Sequence, residues 1–123
     1  MNRDNLSNMT VQQLVERFAE IALDQDQAIR TDANAKYTRL FWQMEDVEDA
    51  LKDRAGDQRR ALLQLYHHAN AQVRLAAAKA TLAVAPEDAR RVLRAIANSR
   101  EGSQAGDAGM CLYALDAGIF KPG

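Results

Sequence analysis

The chain has 123 residues, 47% of them hydrophobic and 27% charged, with a formal net charge of −1. That length suffices for one core, and that composition excludes a disordered chain, which lacks apolar residues, and a membrane-embedded one, which lacks charges. A pI of about 6.1 argues against a dedicated nucleic-acid binder, and the single cysteine, Cys111, has no partner for an internal disulfide.

Thr10 and Gln13 form a capping box, and Val11, Leu14, Val15, Phe18, Ile21, Ala22 and Ile29 then recur at helical spacing, which predicts a first helix. A second helix from Asp32 or Asn34 carries Tyr37, Leu40, Phe41, Met44, Val47 and Leu51 on one stripe. The two make a long N-terminal hairpin over residues 9–54. Gly56 turns the chain, and Asp57 is the expected cap of a third helix holding Ala61, Leu62, Leu65 and Tyr66. Asn70 caps the fourth, NAQVRLAAAKATLAVAP, whose alanines at 76, 77, 78, 80 and 83 make a thin rod that neighbours can approach closely. Pro86 opens a fifth helix where proline costs no hydrogen bond and where Glu87 and Asp88 meet the positive end of the dipole. It turns Ala89, Val92, Leu93 and Ile96 inward. A sixth, from Ser103 or Gln104, buries Ala108, Cys111, Leu112 and Leu115 and stops at Gly118, leaving a tail over 119–123. No segment alternates as a strand does.

RRALLQL from Arg59 and RRVLRAI from Arg90 match in their apolar positions at an offset of 31. The same offset carries Ala77 onto Ala108, Ala80 onto Cys111, Ala83 onto Ala114 and Val84 onto Leu115. Two hairpins, 57–85 and 86–118, thus share one template, and units that cannot bury their apolar faces alone stack. Asn70, Val73, Arg74 and Ala77 resemble the start of the second helix of a HEAT or armadillo-type repeat. From Met9 onward, with GDQRRALLQLYHHANAQVRLAAAKATLAVAP and GDAGMCLYALDAGIFKP as its clearest stretches, the chain is similar to a bacterial domain-of-unknown-function family with HEAT/armadillo-like helical repeats. The expected fold is all-α, a right-handed α–α superhelix of about six helices in stacked HEAT-like hairpins, as a single domain over 1–123. That family has no assigned activity, so the resemblance implies none. In the second repeat, Gly106 and Asp107 stand where Val-Arg is expected.

Residues 1–53 hold six Lys/Arg against eleven Asp/Glu, a net −5; residues 54–100 hold nine against three, a net +6; residues 101–123 hold one against three. Such a division steers partners of either sign. Trp42, at the border of the acidic face of Glu45, Asp46 and Asp49, is a candidate anchor for a partner. Arg59, Arg60, Arg90, Arg91 and Arg94 are candidates too, because they recur at equivalent repeat positions. Arg74, Asn70, Ala77 and Ala80 are expected to be structural, with the Arg74 head group reaching an acid or carbonyls.

Chemistry is poorly represented. His67 and His68 are adjacent, about 100° apart on a helix, and cannot chelate one ion together. Cys111 sits on an apolar stripe. The acidic run MEDVEDALKD lacks the Glu-x-x-His of a di-metal bundle, and GSQAGDAG lacks the Lys-Ser/Thr of a phosphate loop. No catalytic, metal or cofactor site is expected. The polar opening MNRDNLSNMTVQQ does not read as an export signal and no apolar run spans a bilayer, so a cytoplasmic location and no membrane partner are expected. The expected function is non-catalytic binding of another protein or of a second copy. The alternatives are a nucleic-acid-binding domain using the arginines, disfavoured by repulsion between phosphate and the acidic hairpin, and a toxin-neutralising protein.

Overall fold

The structure, a computed structural model, describes residues 3–123; Met1 and Asn2, part of the expected 1–123 span, lie outside the described residues. Among the described residues it is all-helical. The elements are α1 (Arg3–Ser7), α2 (Val11–Arg30), α3 (Asn34–Lys52), a 3₁₀ helix (Gln58–His67), α4 (Ala71–Ala80), α5 (Pro86–Ala97) and α6 (Gly102–Asp116). The chain divides into two compact units, Met1–Ala61 and Leu62–Gly123.

In the first unit α2 starts on its capping box: Thr10 Oγ1 accepts from the Gln13 N–H at 3.1 Å and Gln13 Oε1 accepts from the Thr10 N–H at 2.8 Å. Leu14, Val15, Phe18, Ile21, Ala22 and Ala28 are buried along one side of α2, which packs along α3. From α3 come Leu40, Met44, Val47 and Leu51. Phe41, expected on that inward stripe, is exposed instead. It lies roughly 100° of helical rotation from Leu40, and the buried strip of α3 is narrower than the full apolar set. Helix α3 begins at Asn34 behind Ala33, whose methyl group offers no cap, and Asp32 before it takes a left-handed conformation with φ 53°. Helix α1, at five residues, is too short to show a period in sequence. Arg54 fastens it, donating from Nη2 to the carbonyls of Leu6 at 3.2 Å and Met9 at 2.6 Å.

The expected third α-helix is a 3₁₀ helix that crosses from the end of the first unit into the second. Arg59, Leu62 and Leu65 are its buried residues, spaced by three, and a 3₁₀ helix with three residues per turn lines up that spacing. In the second unit the Asn70 carboxamide caps α4, accepting from the N–H groups of Gln72 at 2.8 Å and Val73 at 3.2 Å. Helix α4 is buried on most of its circumference, through Val73, Leu75, Ala76, Ala77, Ala78 and Ala80. It ends at Ala80, where the Thr81 hydroxyl donates back to the Ala77 carbonyl at 2.8 Å. Ala83, expected on the thin rod, therefore lies beyond the helix and is exposed. Leu75, Ala78, Leu82, Ala89, Leu93, Ile96, Ala108 and Cys111 form one core cluster.

Helix α6 starts at Gly102 with Glu101 at the cap and no side-chain cap bond, so neither Ser103 nor Gln104 caps it. Gln104 is buried, and its Nε2 donates to Gln72 Oε1 at 3.1 Å. Ala77 and Ala108 are both fully buried, as are, nearly, Ala80 and Cys111. Leu62 with Leu93 and Leu65 with Ile96 match in burial as well, while the helix types differ: one segment pairs a 3₁₀ helix with a ten-residue helix, the other a twelve- with a fifteen-residue helix. Ala80→Leu is expected to overpack this interior and lower stability by about 1–2 kcal/mol. An unchanged urea midpoint would show room at Ala80 that its burial denies.

Candidate functional site

Glu45 and Asp46 lie three and four residues beyond Trp42, and Asp49 and Asp53 three and seven beyond Asp46, which places all five along one side of α3 over about 16 Å. The opposite side carries the buried Leu40, Met44, Val47 and Leu51. That division explains why the indole is 61% exposed: the apolar side of α3 is already committed to the interior. Trp42 meets Phe41 edge-on, ring centroids 5.1 Å apart and planes at 84°. The exposed pair is thus held in a defined orientation.

At the carboxyl-terminal end of this stripe Asp46, Asp49 and Asp53 line a cavity of about 220 Å³, together with Leu6, Ala50 and Arg54. Its walls are apolar at Leu6 and Ala50 and carry three acids against one base, a base whose Nη2 already serves the Leu6 and Met9 carbonyls. The carboxylates crowd one another. Burial, then Asp49 and Asp46, hold the Glu45 carboxyl above its ordinary value. Glu48, half-buried beside the stripe, is pushed up to about 7 by burial and by Glu45, against the opposing pull of the Arg59 guanidinium. Among the described residues no three His, Cys, Asp or Glu side chains are placed to hold a metal ion. What the stripe offers is a negative field beside an exposed aromatic face.

The arginines do not share one environment. Arg59, counted with the exposed candidates, is only 6% exposed. Its Nε donates to Asp57 Oδ1 at 2.9 Å and its Nη2 to Asp57 Oδ2 at 2.7 Å. The reason is local: the left-handed Asp57, φ 52°, turns its carboxylate onto a residue that the three-residue spacing sends inward. The same bonds hold the Asp57 carboxyl below its ordinary value. Arg90 pairs with Asp116 at 3.0 Å and Arg91 with Asp88 at 2.6 Å; Arg60, Arg91 and Arg94 are exposed.

Arg74 donates from Nε to the His68 carbonyl at 2.9 Å and from Nη2 to both Glu101 carboxylate oxygens, at 2.9 and 3.1 Å. It ties the turn before α4 to the residue before α6. His68 Nδ1 accepts the Asn70 N–H at 3.0 Å, which occupies it in that turn, while His67 is exposed. Burial pushes the Cys111 thiol up, so it stays protonated at neutral pH. Two features had no sequence signal: the cavity, which needs the short α1 as a wall, and the Gln72–Gln104 bond, which needs two helices brought side by side.

An all-helical chain with these features belongs to the family described as a domain of unknown function (DUF2019), whose model matches residues 12–116. It is similar to a solved structure, the crystal structure of the protein RPA1889 from Rhodopseudomonas palustris CGA009, at 52% sequence identity and a TM-score of 0.93 over 96% of this chain and 98% of that one. No curated protein matches. No helix among the described residues is long and apolar enough to cross a membrane.

Proposed function

We propose that the protein is a non-catalytic protein-binding domain whose α3 stripe accepts a Lys/Arg-rich segment of a partner protein. The observation that carries this reading is the placement of an exposed indole on the same helix side as four carboxylates, with a cavity at the far end. A basic side chain laid over Trp42 gains a cation–π contact while its stem covers apolar surface. Another, further along, brings its charge to the carboxylates of Asp49 and Asp53 at the mouth of the cavity. The same field repels phosphate, which sets this face against nucleic acid. The buried thiol of Cys111 and the bond from the Asn70 N–H to His68 Nδ1 favour structural roles for these two residues. A basic toxin would be one partner of this kind. The HEAT-like reading belongs to the same proposal for the second unit, supported by the shared burial of Ala77 with Ala108 and of Ala80 with Cys111.

Trp42 is the only tryptophan, so its emission reports on the site directly. Titration with an amphipathic Lys/Leu peptide is expected to shift that emission saturably, with affinity falling as salt rises. The Asp46→Asn/Asp49→Asn protein is expected to bind at least about tenfold more weakly. An unmoved emission, or equal affinity in the double variant, would defeat the proposal; salt-sensitive binding of duplex DNA instead would favour the exposed arginines.

A further inference from the structure

The geometry points to a second copy of this chain as the occupant of the outer face of α6, in an antiparallel, two-fold symmetric pairing. This goes beyond the α3 reading and rests on residues of the second unit alone. Ser103, Gly106, Met110, Tyr113 and Ala117 follow one another at steps of three or four, and all five are exposed. No charge interrupts them. The two acids of α6 are drawn away from this stripe by partners within the unit, Asp107 by Lys79 of α4 at 3.0 Å and Asp116 by Arg90 of α5 at 3.0 Å. Elsewhere on the molecule exposed helix faces are charged, as α3 is, so an uncharged one has no use for a charged partner.

Glycine inside a helix weakens it relative to alanine, and α6 carries Gly106 and Gly109 in its interior. Neither has a left-handed φ, and a Cβ added at either would meet nothing within 4 Å. The fold of the chain therefore does not require them. A close neighbour outside the chain would. In an antiparallel pairing whose two-fold axis passes beside Met110, Tyr113 of each copy falls opposite Gly106 of the other, since the two lie at similar distances on either side of the axis. The bulkiest side chain of the stripe thus meets its emptiest position, twice.

Area limits the strength. Helix α6 ends in a Schellman motif: Gly118, φ 73°, donates to the Leu115 carbonyl at 3.2 Å and Ile119 to the Ala114 carbonyl at 2.9 Å, which keeps the backbone of Ile119 and Phe120 close to the last turn. Met110, Tyr113, Ile119 and Phe120 are 69%, 63%, 72% and 41% exposed. Fully covered, they amount to at most about 500 Å² per copy, or about 1,000 Å² for a pair, a ceiling that only reaches the lower bound for specific association. A weak, concentration-dependent dimer follows.

Sedimentation equilibrium over a concentration series tests this. The expected mass rises from 13.7 kDa towards twice that value, with a micromolar dissociation constant. Met110→Glu and Tyr113→Glu, both at exposed positions and both checked for retained helicity, are expected to raise that constant at least about tenfold. Gly106→Ala separates the dimer from the fold: it is expected to raise the thermal midpoint of the dilute monomer while weakening the dimer. A monomer up to about millimolar concentration overturns the proposal and leaves the face to a different protein. A dimer that neither glutamate variant weakens, or that Gly106→Ala leaves intact, overturns it as well. None of these substitutions touches Trp42 or the α3 acids, so the peptide titration remains an independent measurement.

Discussion

Glu48→Gln is expected to remove the fall in stability that Glu48 imposes between about pH 4.5 and 7, and to make the protein more stable than wild type at pH 8. The folded protein holds the Glu48 proton up to about pH 7, because burial and the charge of Glu45 disfavour the carboxylate more than Arg59 favours it. The unfolded chain releases that proton near its ordinary value of 4.5. Between those limits the folded state binds more protons, so stability falls as pH rises; it is complete below 4.5 and lost once pH passes 7. A displacement of that size corresponds to on the order of 3 kcal/mol, less what remaining solvent contact screens. Glutamine keeps the shape and cannot ionise. Denaturation midpoints for the two proteins should therefore converge at pH 4.5 and separate steadily to pH 8, the wild type lying lower. Parallel curves across that range would show that Glu48 ionises as freely in the fold as outside it.

Arg74→Ala is expected to lower the stability of the second unit by about 2–3 kcal/mol. Four acceptors lose their donor together: the His68 and Ala69 carbonyls and both oxygens of Glu101. Glu101 is partly exposed and recovers water, whereas the His68 carbonyl lies in a turn already shaped by the His68–Asn70 bond. Lysine at this position supplies a point charge without the fork, so Arg74→Lys should recover only part of the loss. A urea midpoint unmoved by Arg74→Ala would mean that the fork ties nothing, and that the guanidinium is available to a ligand. The side chain is 22% exposed, too little for a surface donor.

Several features of this fold could be read without coordinates because they are local. The Thr10 capping box closes within four residues, and the Asn70 cap within the same span. The apolar spacing of α2 follows from 3.6 residues per turn alone. The acidic stripe of α3 was visible for the same reason, with Trp42 at its border; that the indole stands 61% exposed was not. The candidate site was legible as a list of side chains on one helix.

What the chain could not declare by itself depends on what stands opposite each helix. Arg59, Leu62 and Leu65 permit either an α- or a 3₁₀-helix; the burial of all three on one side selects the tighter winding and takes Arg59 out of the exposed arginines. Phe41 is as apolar as Leu40, and only the width of the contact with α2 leaves it in solvent. The cavity beside Asp49 exists because α1, too short to carry a periodic signal, is drawn to α3 by Arg54. On α6 the spacing turns Ala108, Cys111, Leu112 and Leu115 inward and does not say how much of the remaining surface a neighbour covers. Packing against α4 and α5 uses one side only and leaves Met110 and Tyr113 outside. Local hydrogen bonding and side-chain period determine which segments are helices, whereas the limited area of each neighbour decides which of their faces remain for a partner.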